Sequence, residues 1–236
     1  MNFKDDIGDF KFSNRVILYP VLFVLLMWLV FWAELKLNLD FTRYGVFPRT
    51  LSGIRGIFLA PFIHANLNHL LSNSLPILLL MAGLFYFYQR VALTVICLLF
   101  LFTGIGTWSV GREAYHIGAS GIVYGLASFL FFKGIWARHY RLTAFSLVVV
   151  FIYGSLVWGV MPIDSEMSWE GHLSGFLSGF GLAFLIKNKI AKPKKYDWEK
   201  DDFNPETDPF LRQFDEQGNF IDPVYEDESV EDELDD

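Results

Sequence analysis

The chain has 236 residues, 53% of them hydrophobic and 18% aromatic, and its mean hydropathy of +0.35 predicts an integral membrane protein rather than a soluble domain. The formal net charge of −7 is unevenly distributed, because residues 191–236 carry 5 Lys and Arg against 17 Asp and Glu. No basic patch interleaved with aromatic residues occurs, so nucleic acid is not an expected partner.

Six apolar segments have the length and composition of membrane-spanning helices, which take about 20 residues each. A long first loop, broken by Gly and Pro, separates the first two segments, and short polar turns separate the others. The predicted spans are 16–33, 67–88, 91–110, 120–136, 142–161 and 171–186. The expected fold is therefore an all-α membrane protein, a bundle of six transmembrane helices.

Composition divides the chain into three parts. Residues 1–15 form a short N-terminal segment, and residues 16–190 contain all six predicted spans. Residues 191–236 form an acidic tail without apolar periodicity, which predicts disorder. The sequence does not indicate which partner the tail would bind.

An even number of spans places both chain ends on one side of the membrane. Lys and Arg are frequent in the N-terminal segment, in the 133–141 turn and after the sixth span. Since cytoplasmic segments collect such residues, we expect both termini in the cytoplasm and a multi-pass protein of the cell membrane. Four basic residues in the first loop count against this orientation.

Three polar segments stand at the N-terminal ends of the second, fourth and sixth spans. They are 64–73, with two histidines and three asparagines, 116–125, with a serine between glycines, and 170–179, with one histidine. Even-numbered spans all begin on the non-cytoplasmic side, so the three segments share one depth. Polar groups at this place in a membrane protein are expensive, which favours a functional site opening to the non-cytoplasmic side.

Ser120 and His172 offer a nucleophile and a general base, because an imidazole that accepts the hydroxyl proton activates a serine. Each residue also has a simpler interpretation. Ser120 could be a small residue in a glycine-rich helix contact, and His172 an interfacial histidine that water satisfies. The spans contain no Asp or Glu that could complete a triad, so the sequence predicts a dyad in which packing orients His172.

His69 and Asn73 lie four residues apart, hence on one helical face, and both can donate hydrogen bonds to a developing oxyanion. Alternatively, the two residues only cap the start of the helix. His64 is predicted to brace the loop before them. Tyr124 follows Ser120 by one helical turn, so its ring could pack on the imidazole of His172.

Glycines recur every four residues along the sixth span. Gly175 and Gly179 fall on the face of His172, and small residues at this spacing allow two membrane helices to approach closely. No His-Glu-x-x-His motif is present, so neither a catalytic metal nor another cofactor is expected. His116 and His139 fall in predicted loops, where we expect them to be solvated.

The combination of these motifs resembles the rhomboid intramembrane serine proteases. The pattern comprises His64-x4-His69-x3-Asn73, Gly118-Ala-Ser120-Gly121 with Tyr124, and Gly171-His172-x2-Gly175-x3-Gly179. The resemblance implies Ser120 as nucleophile and His172 as general base. It implies an oxyanion site made by His69, Asn73 and the Ser120 amide, a Tyr124 ring stacked on His172, and Gly121 in the helix contact.

The resemblance further implies a serine endopeptidase that cleaves transmembrane segments of membrane-anchored proteins within the lipid bilayer. Two other functions stay open: a proteolytically inactive scaffold of the same fold that binds transmembrane helices, and a transporter with a histidine proton relay. The transporter would require carboxylates inside the spans. One departure concerns the first loop, where many members carry Trp-Arg and this chain has Ile54-Arg55-Gly56.

Overall fold

The computed structural model describes residues 12–136, 140–152, 158–162, 167–187 and 196–221. This part of the chain is mostly helical and contains no β-strand, only two isolated bridges. The helices are α1 (Arg15–Leu37), α2 (Gly56–Leu59), α3 (Leu67–Phe87), α4 (Ala92–Val110), α5 (Ser120–Trp136), α6 (Tyr140–Ile152) and α7 (Trp169–Leu185). The chain divides into two units, residues 1–192 and 193–236.

Within the described residues, three helices are long and apolar enough to cross a membrane: α1 with 23 residues, α3 with 21 and α4 with 19. Helix α5 is apolar but has only 17 residues. Large apolar side chains are exposed along α1, among them Leu18, Leu22, Leu25 and Trp32. Such a surface is compatible with lipid and not with water.

Helix α5 lies at the centre of the first unit and packs against α3, α4, α6 and α7. Residues 122–130 are all buried, because neighbouring helices cover α5 on every side. Helix α7 packs against α5 and α4, and α1 packs on the outside of α3. At the C-terminal end of α7, the Lys133 ammonium of α5 donates to the carbonyl oxygens of Ala183 and Ile186. The two helices are thus joined where their ends meet.

Local signals explain where the helices begin and end. The Asn66 side chain accepts the His69 N–H at 2.9 Å and starts α3, and Ser168 accepts the Gly171 N–H at 3.3 Å and starts α7. Helix α1 ends where Asn38 adopts a left-handed conformation with φ 51°.

The first loop, between α1 and α3, is folded around two arginines. Arg55 donates to the Arg43 carbonyl at 3.0 Å, and its guanidinium lies 4.5 Å from the centre of the Tyr44 ring. Arg49 donates to the Gly111 carbonyl at 2.8 Å, which satisfies the C-terminal end of α4. These contacts hold the loop in place without the Trp-Arg pair that the resemblance leads one to expect there.

The predicted boundaries are corrected at two places. The predicted fifth span extends to residue 161, whereas residues 159–162 form a turn, and residues 153–157 lie outside the described part. The predicted sixth span begins at residue 171, whereas α7 begins at Trp169 and therefore includes Glu170. The first difference places the Gly159 carbonyl beside His172, and the second places a carboxylate in the first turn of the same helix.

The described part of the second unit, residues 196–221, consists of three short 3-10 turns and one bridge between Phe214 and Phe220. The turns are closed by local hydrogen bonds, such as the Glu206 N–H to the Asn204 side chain at 3.0 Å. Several aromatic side chains of this segment are exposed, among them Trp198, Phe210 and Phe220. The disorder expected for residues 191–236 as a whole stays a prediction.

Candidate active site

Ser120 is the first residue of α5. It follows the loop of residues 111–119, which hydrogen bonds join to the first loop. Gly118, two residues earlier, has φ +100° and donates its N–H to the Ala60 carbonyl at 2.8 Å. A Cβ at this glycine would lie 2.6 Å from His69 Nε2, so a larger residue would displace the histidine. Glycine therefore provides both the turn and the space beside His69.

His172 lies in the first turn of α7 and faces Ser120. Its Nε2 lies 2.8 Å from Ser120 Oγ, and its Nδ1 lies 2.7 Å from the carbonyl oxygen of Gly159. A carbonyl oxygen can only accept, so Nδ1 carries the proton of the neutral imidazole. Nε2 is then left with a lone pair toward the hydroxyl. This arrangement suits a general base.

Gly159 is a residue that the sequence interpretation missed, because that interpretation assigned the orientation of His172 to packing alone. It belongs to the turn that ends the predicted fifth span early. A Cβ at this position would overlap the Tyr124 hydroxyl and lie 3.0 Å from His172 Nδ1. The only signal in the sequence was therefore the glycine itself.

The ring of Tyr124 covers one face of the His172 imidazole. The two rings are stacked with centroids 4.3 Å apart and an interplanar angle of 15°. Since both Tyr124 and His172 are buried, the imidazole is held between a ring on one side and a backbone acceptor at its edge. The freedom of the imidazole to rotate is small.

His69 and Asn73 lie on the first turns of α3 and face the same cavity as Ser120. The Asn73 amide donates one N–H to the His69 carbonyl at 2.8 Å, which holds its side chain along the helix. An amide nitrogen has two N–H groups, so this contact leaves a second donor. The arrangement can present a hydrogen bond to an anion beside the serine.

His64 is fully buried next to His69, with ring centroids 5.0 Å apart. Neither of its ring nitrogens makes a hydrogen bond of good geometry to a described residue, and the Phe62 backbone is a polar neighbour of the ring. Burial, with a contribution from His69, lowers the pKa of His64 to about 4. The side chain is therefore neutral at physiological pH and packs the loop behind His69.

The glycines of α5 and α7 form the contact between the two helices. A Cβ on Gly175 would overlap the Gly121 carbonyl, and a Cβ on Gly179 would overlap the Gly125 carbonyl. A Cβ on Gly121 would lie 3.0 Å from the Gly171 carbonyl. The helix axes come this close only because these positions have no side chain.

A cavity of about 540 Å³ opens in front of Ser120. It is lined by segments from the start of α3, from the loop before α5 and from the start of α7. The three polar segments of the sequence therefore meet at one cavity. The lining residues that carry polar side chains include Asn66, His69, Asn73, Arg112, Ser120, Tyr124, Ser168 and His172.

The expectation that His116 is solvated is wrong, because its side chain is buried. It is 5% exposed, with Nδ1 2.6 Å from Ser168 Oγ and Nε2 3.1 Å from the Arg112 carbonyl oxygen. Burial lowers the pKa of His116, in opposition to the hydrogen bond that the ring donates to the Arg112 carbonyl and to the negative charge of Glu170. His139, the other loop histidine, lies outside the described residues.

Glu170 is a second polar residue that the sequence interpretation left unused. It is 2% exposed, and its Oε1 accepts the Arg112 backbone N–H at 3.1 Å. The Arg112 guanidinium donates to the Met167 carbonyl at 2.8 Å. The carboxylate therefore faces the loop before α5, whereas His172 has Gly159 and Ser120 as its partners.

Comparisons with known proteins relate the chain to one protein family. A family model described as the Rhomboid domain matches residues 52–189. An uncharacterized protein of Mycobacterium tuberculosis is 35% identical over 189 residues, which cover 73% of this chain and 75% of the relative. An uncharacterized protein of Mycobacterium leprae is 34% identical over 153 residues, 59% of each chain. A putative rhomboid protein of Acanthamoeba polyphaga mimivirus is 29% identical over 183 residues, 73% of this chain and 91% of the relative.

Proposed function

The chain belongs to the rhomboid family, and on that premise we propose that it is an intramembrane serine endopeptidase that cleaves transmembrane segments of membrane-anchored proteins. Ser120 is the nucleophile and His172 the general base. The observation that carries the proposal is the 2.8 Å contact between Ser120 Oγ and His172 Nε2, with the imidazole proton on the opposite nitrogen. A merely structural serine does not require this arrangement of protons.

In the proposed reaction, Ser120 Oγ attacks the carbonyl carbon of the scissile peptide bond while its proton passes to His172 Nε2. The imidazolium then carries protons on both nitrogens, and the Gly159 carbonyl accepts the one on Nδ1. His172 gives the Nε2 proton to the leaving amine, and the acyl group stays on Ser120. Water, activated by the same imidazole, hydrolyses this ester and returns the serine.

The tetrahedral intermediate carries a negative charge on the former carbonyl oxygen. His69, the second N–H of Asn73 and the backbone N–H of Ser120 supply donors for this oxygen. Ser120 is the first residue of α5, so its backbone N–H has no acceptor within the helix. The positive end of the helix dipole favours an anion at the same place.

The proposed architecture is a six-span bundle within residues 16–190, in which α1, α3, α4, α5, the segment containing α6, and α7 cross the membrane. Helix α5 has 17 residues and is about 25 Å long, whereas the hydrocarbon core is about 30 Å thick. If its C-terminal end reaches the cytoplasmic surface, Ser120 lies below the opposite surface. The cavity then brings water to a serine at membrane depth.

The proposed orientation has both termini in the cytoplasm of a cell whose plasma membrane the protein spans, with the cavity open to the non-cytoplasmic side. Substrate helices reach the site from the lipid. A helical peptide bond is shielded by its own hydrogen bonds, so the substrate must unwind locally. We therefore expect small or helix-breaking residues near the cleavage site.

The alternative is a proteolytically inactive member that binds transmembrane helices. A fluorophosphonate probe distinguishes the two functions because it reacts only with an activated serine. We expect stoichiometric labelling of the purified protein, with mass spectrometry locating the adduct on Ser120 and no labelling of Ser120→Ala. A wild-type protein that folds and stays unlabelled would support the scaffold instead.

A further inference from the structure

A set of contacts joins the two segments that carry the nucleophile and the base. On one side is the loop of residues 111–119, which leads into Ser120. On the other side are residues 167–170, which lead into His172. The His116 imidazole contacts the Ser168 hydroxyl at 2.6 Å, and the Arg112 backbone N–H donates to Glu170 at 3.1 Å. His116 lies four residues before Ser120, and Ser168 lies four residues before His172.

His116 is fixed on its backbone as well as on its side chain. Its N–H donates to the Val46 carbonyl at 2.9 Å, and its carbonyl accepts the Val46 N–H at 3.0 Å. The first loop therefore holds the backbone of His116, and Ser168 holds its ring. One residue connects the first loop, the start of α5 and the start of α7.

The partners determine where the protons lie. The Arg112 carbonyl oxygen can only accept, so His116 Nε2 is the donor and Nδ1 of the neutral ring is the acceptor. The Ser168 hydroxyl then donates to Nδ1, and its oxygen accepts the Gly171 N–H at 3.3 Å. Ser168 thus caps α7 with its oxygen and binds His116 with its proton.

We propose that His116 and Ser168 are positioning residues, whose contact holds the first turn of α7 against the loop before α5 and thereby sets the distance between Ser120 Oγ and His172 Nε2. The inference rests on the proposed function, since it concerns the reactivity of that pair. Proton transfer requires a short and directed contact, and a misplacement of about 1 Å can cost ~100-fold in rate.

The contact could instead stabilise the fold without affecting the dyad. The two roles differ in what a fluorophosphonate probe measures. A loss of stability lowers the fraction of protein that can be labelled, whereas the folded molecules react as before. A loss of positioning lowers the rate constant of labelling for the folded molecules.

The experiment measures both quantities for the full chain in detergent micelles, together with the melting temperature. His116→Phe keeps a ring of similar size without nitrogens, and Ser168→Gly removes the hydroxyl but keeps an accepted N-cap residue. Ser168→Thr keeps the hydroxyl. Trp108→Phe is the matched control, because it removes a 2.8 Å hydrogen bond to the Thr50 carbonyl of the first loop away from the dyad.

We expect the labelling rate constant to fall ~10- to 100-fold in His116→Phe and in Ser168→Gly. The double variant should be no slower than the slower single variant, because both remove the same contact. Ser168→Thr should recover most of the rate constant, and Trp108→Phe should keep it even where its melting temperature falls.

Unchanged rate constants in folded Ser168→Gly and His116→Phe would overturn the inference and leave the proposed function intact. If His116→Phe does not fold, the comparison of Ser168→Gly with Ser168→Thr decides, and equal rate constants for these two would also overturn it. A folded wild-type protein that is not labelled would contradict the proposed function itself, and the inference with it.

Discussion

At the scale of single residues, the division of work around Ser120 can be tested at Asn73. One N–H of its amide is already bound to the His69 carbonyl, so only the other is a donor toward the cavity. Removal of one of several oxyanion donors typically costs ~10²- to 10³-fold in turnover. Because His69 and the Ser120 amide remain, we expect a loss of ~10- to 1,000-fold in Asn73→Ala, measured as turnover of a model transmembrane substrate.

Labelling of Ser120 by a fluorophosphonate should persist in Asn73→Ala, since the dyad is unchanged. Persistent labelling with reduced turnover would separate a role in the oxyanion site from a role in folding. Full turnover by Asn73→Ala would remove this residue from the site.

The residues around the dyad differ in how far the sequence reveals them. Ser120, His172 and Tyr124 are found from side-chain chemistry and helical spacing, and the structure places the three together. Gly159 acts through its carbonyl oxygen, which every residue has, so no side-chain motif reports it. His116 stands in a polar loop and was expected to be solvated. Its ring instead contacts the Ser168 hydroxyl, 52 positions later in the chain, and the Arg112 carbonyl, 4 positions earlier.

At the scale of helices, the glycine contact between α5 and α7 can be tested by adding a side chain at Gly175. In Gly175→Val the side chain would overlap the Gly121 carbonyl and push α7 away from α5. We expect turnover to fall by at least ~100-fold although Ser120 and His172 are unchanged, because their separation increases. The measurement is cleavage of a model substrate by protein that has been shown to be folded.

Gly181→Val is the matched control on the same helix, since a Cβ at Gly181 meets no atom within 4 Å. It introduces the same β-branched residue with the same helix propensity. We expect near wild-type turnover for this variant. Equal turnover of Gly175→Val and the wild-type protein would mean that the two helices do not meet at that position.

Helix positions followed from uninterrupted apolar segments, and the start of α5 at Ser120 coincides with the predicted start of the fourth span. The end of the predicted fifth span did not follow, because the apolar run continues through a turn. Gly159 is buried in this turn, and His172 Nδ1 donates to its carbonyl, which is outside any helix. Hydrophobicity alone does not distinguish such a turn from a helix.

At the scale of the whole molecule, the strongest division is that of charge between the apolar body and the acidic tail. Truncation after Lys195 removes the 196–221 turns and the acidic C-terminal residues but none of the residues around the cavity. We therefore expect the truncated protein to cleave a substrate in detergent at a rate within about twofold of the full chain. Loss of turnover with the melting temperature unchanged would show that the tail takes part in catalysis.

The family membership predicted from three short motifs is confirmed by the match over residues 52–189. The motifs were sufficient because all three occur together, in one order, at the starts of successive even-numbered predicted spans. The number of spans and their orientation stay predictions, since three of the described helices have the length and composition of a membrane span. The partner of the acidic tail does not follow from charge alone, because an acidic segment with exposed aromatic side chains fits many surfaces.

The most direct test of the account is cleavage by the purified protein in liposomes that also contain a model single-span substrate, with the product termini determined by mass spectrometry. We expect the wild-type protein to cut at one site within the transmembrane segment or at its non-cytoplasmic edge. Ser120→Ala and His172→Ala should insert and fold normally and produce no detectable product. Cleavage by folded Ser120→Ala at the same site would contradict the assignment of the nucleophile and with it the central claim.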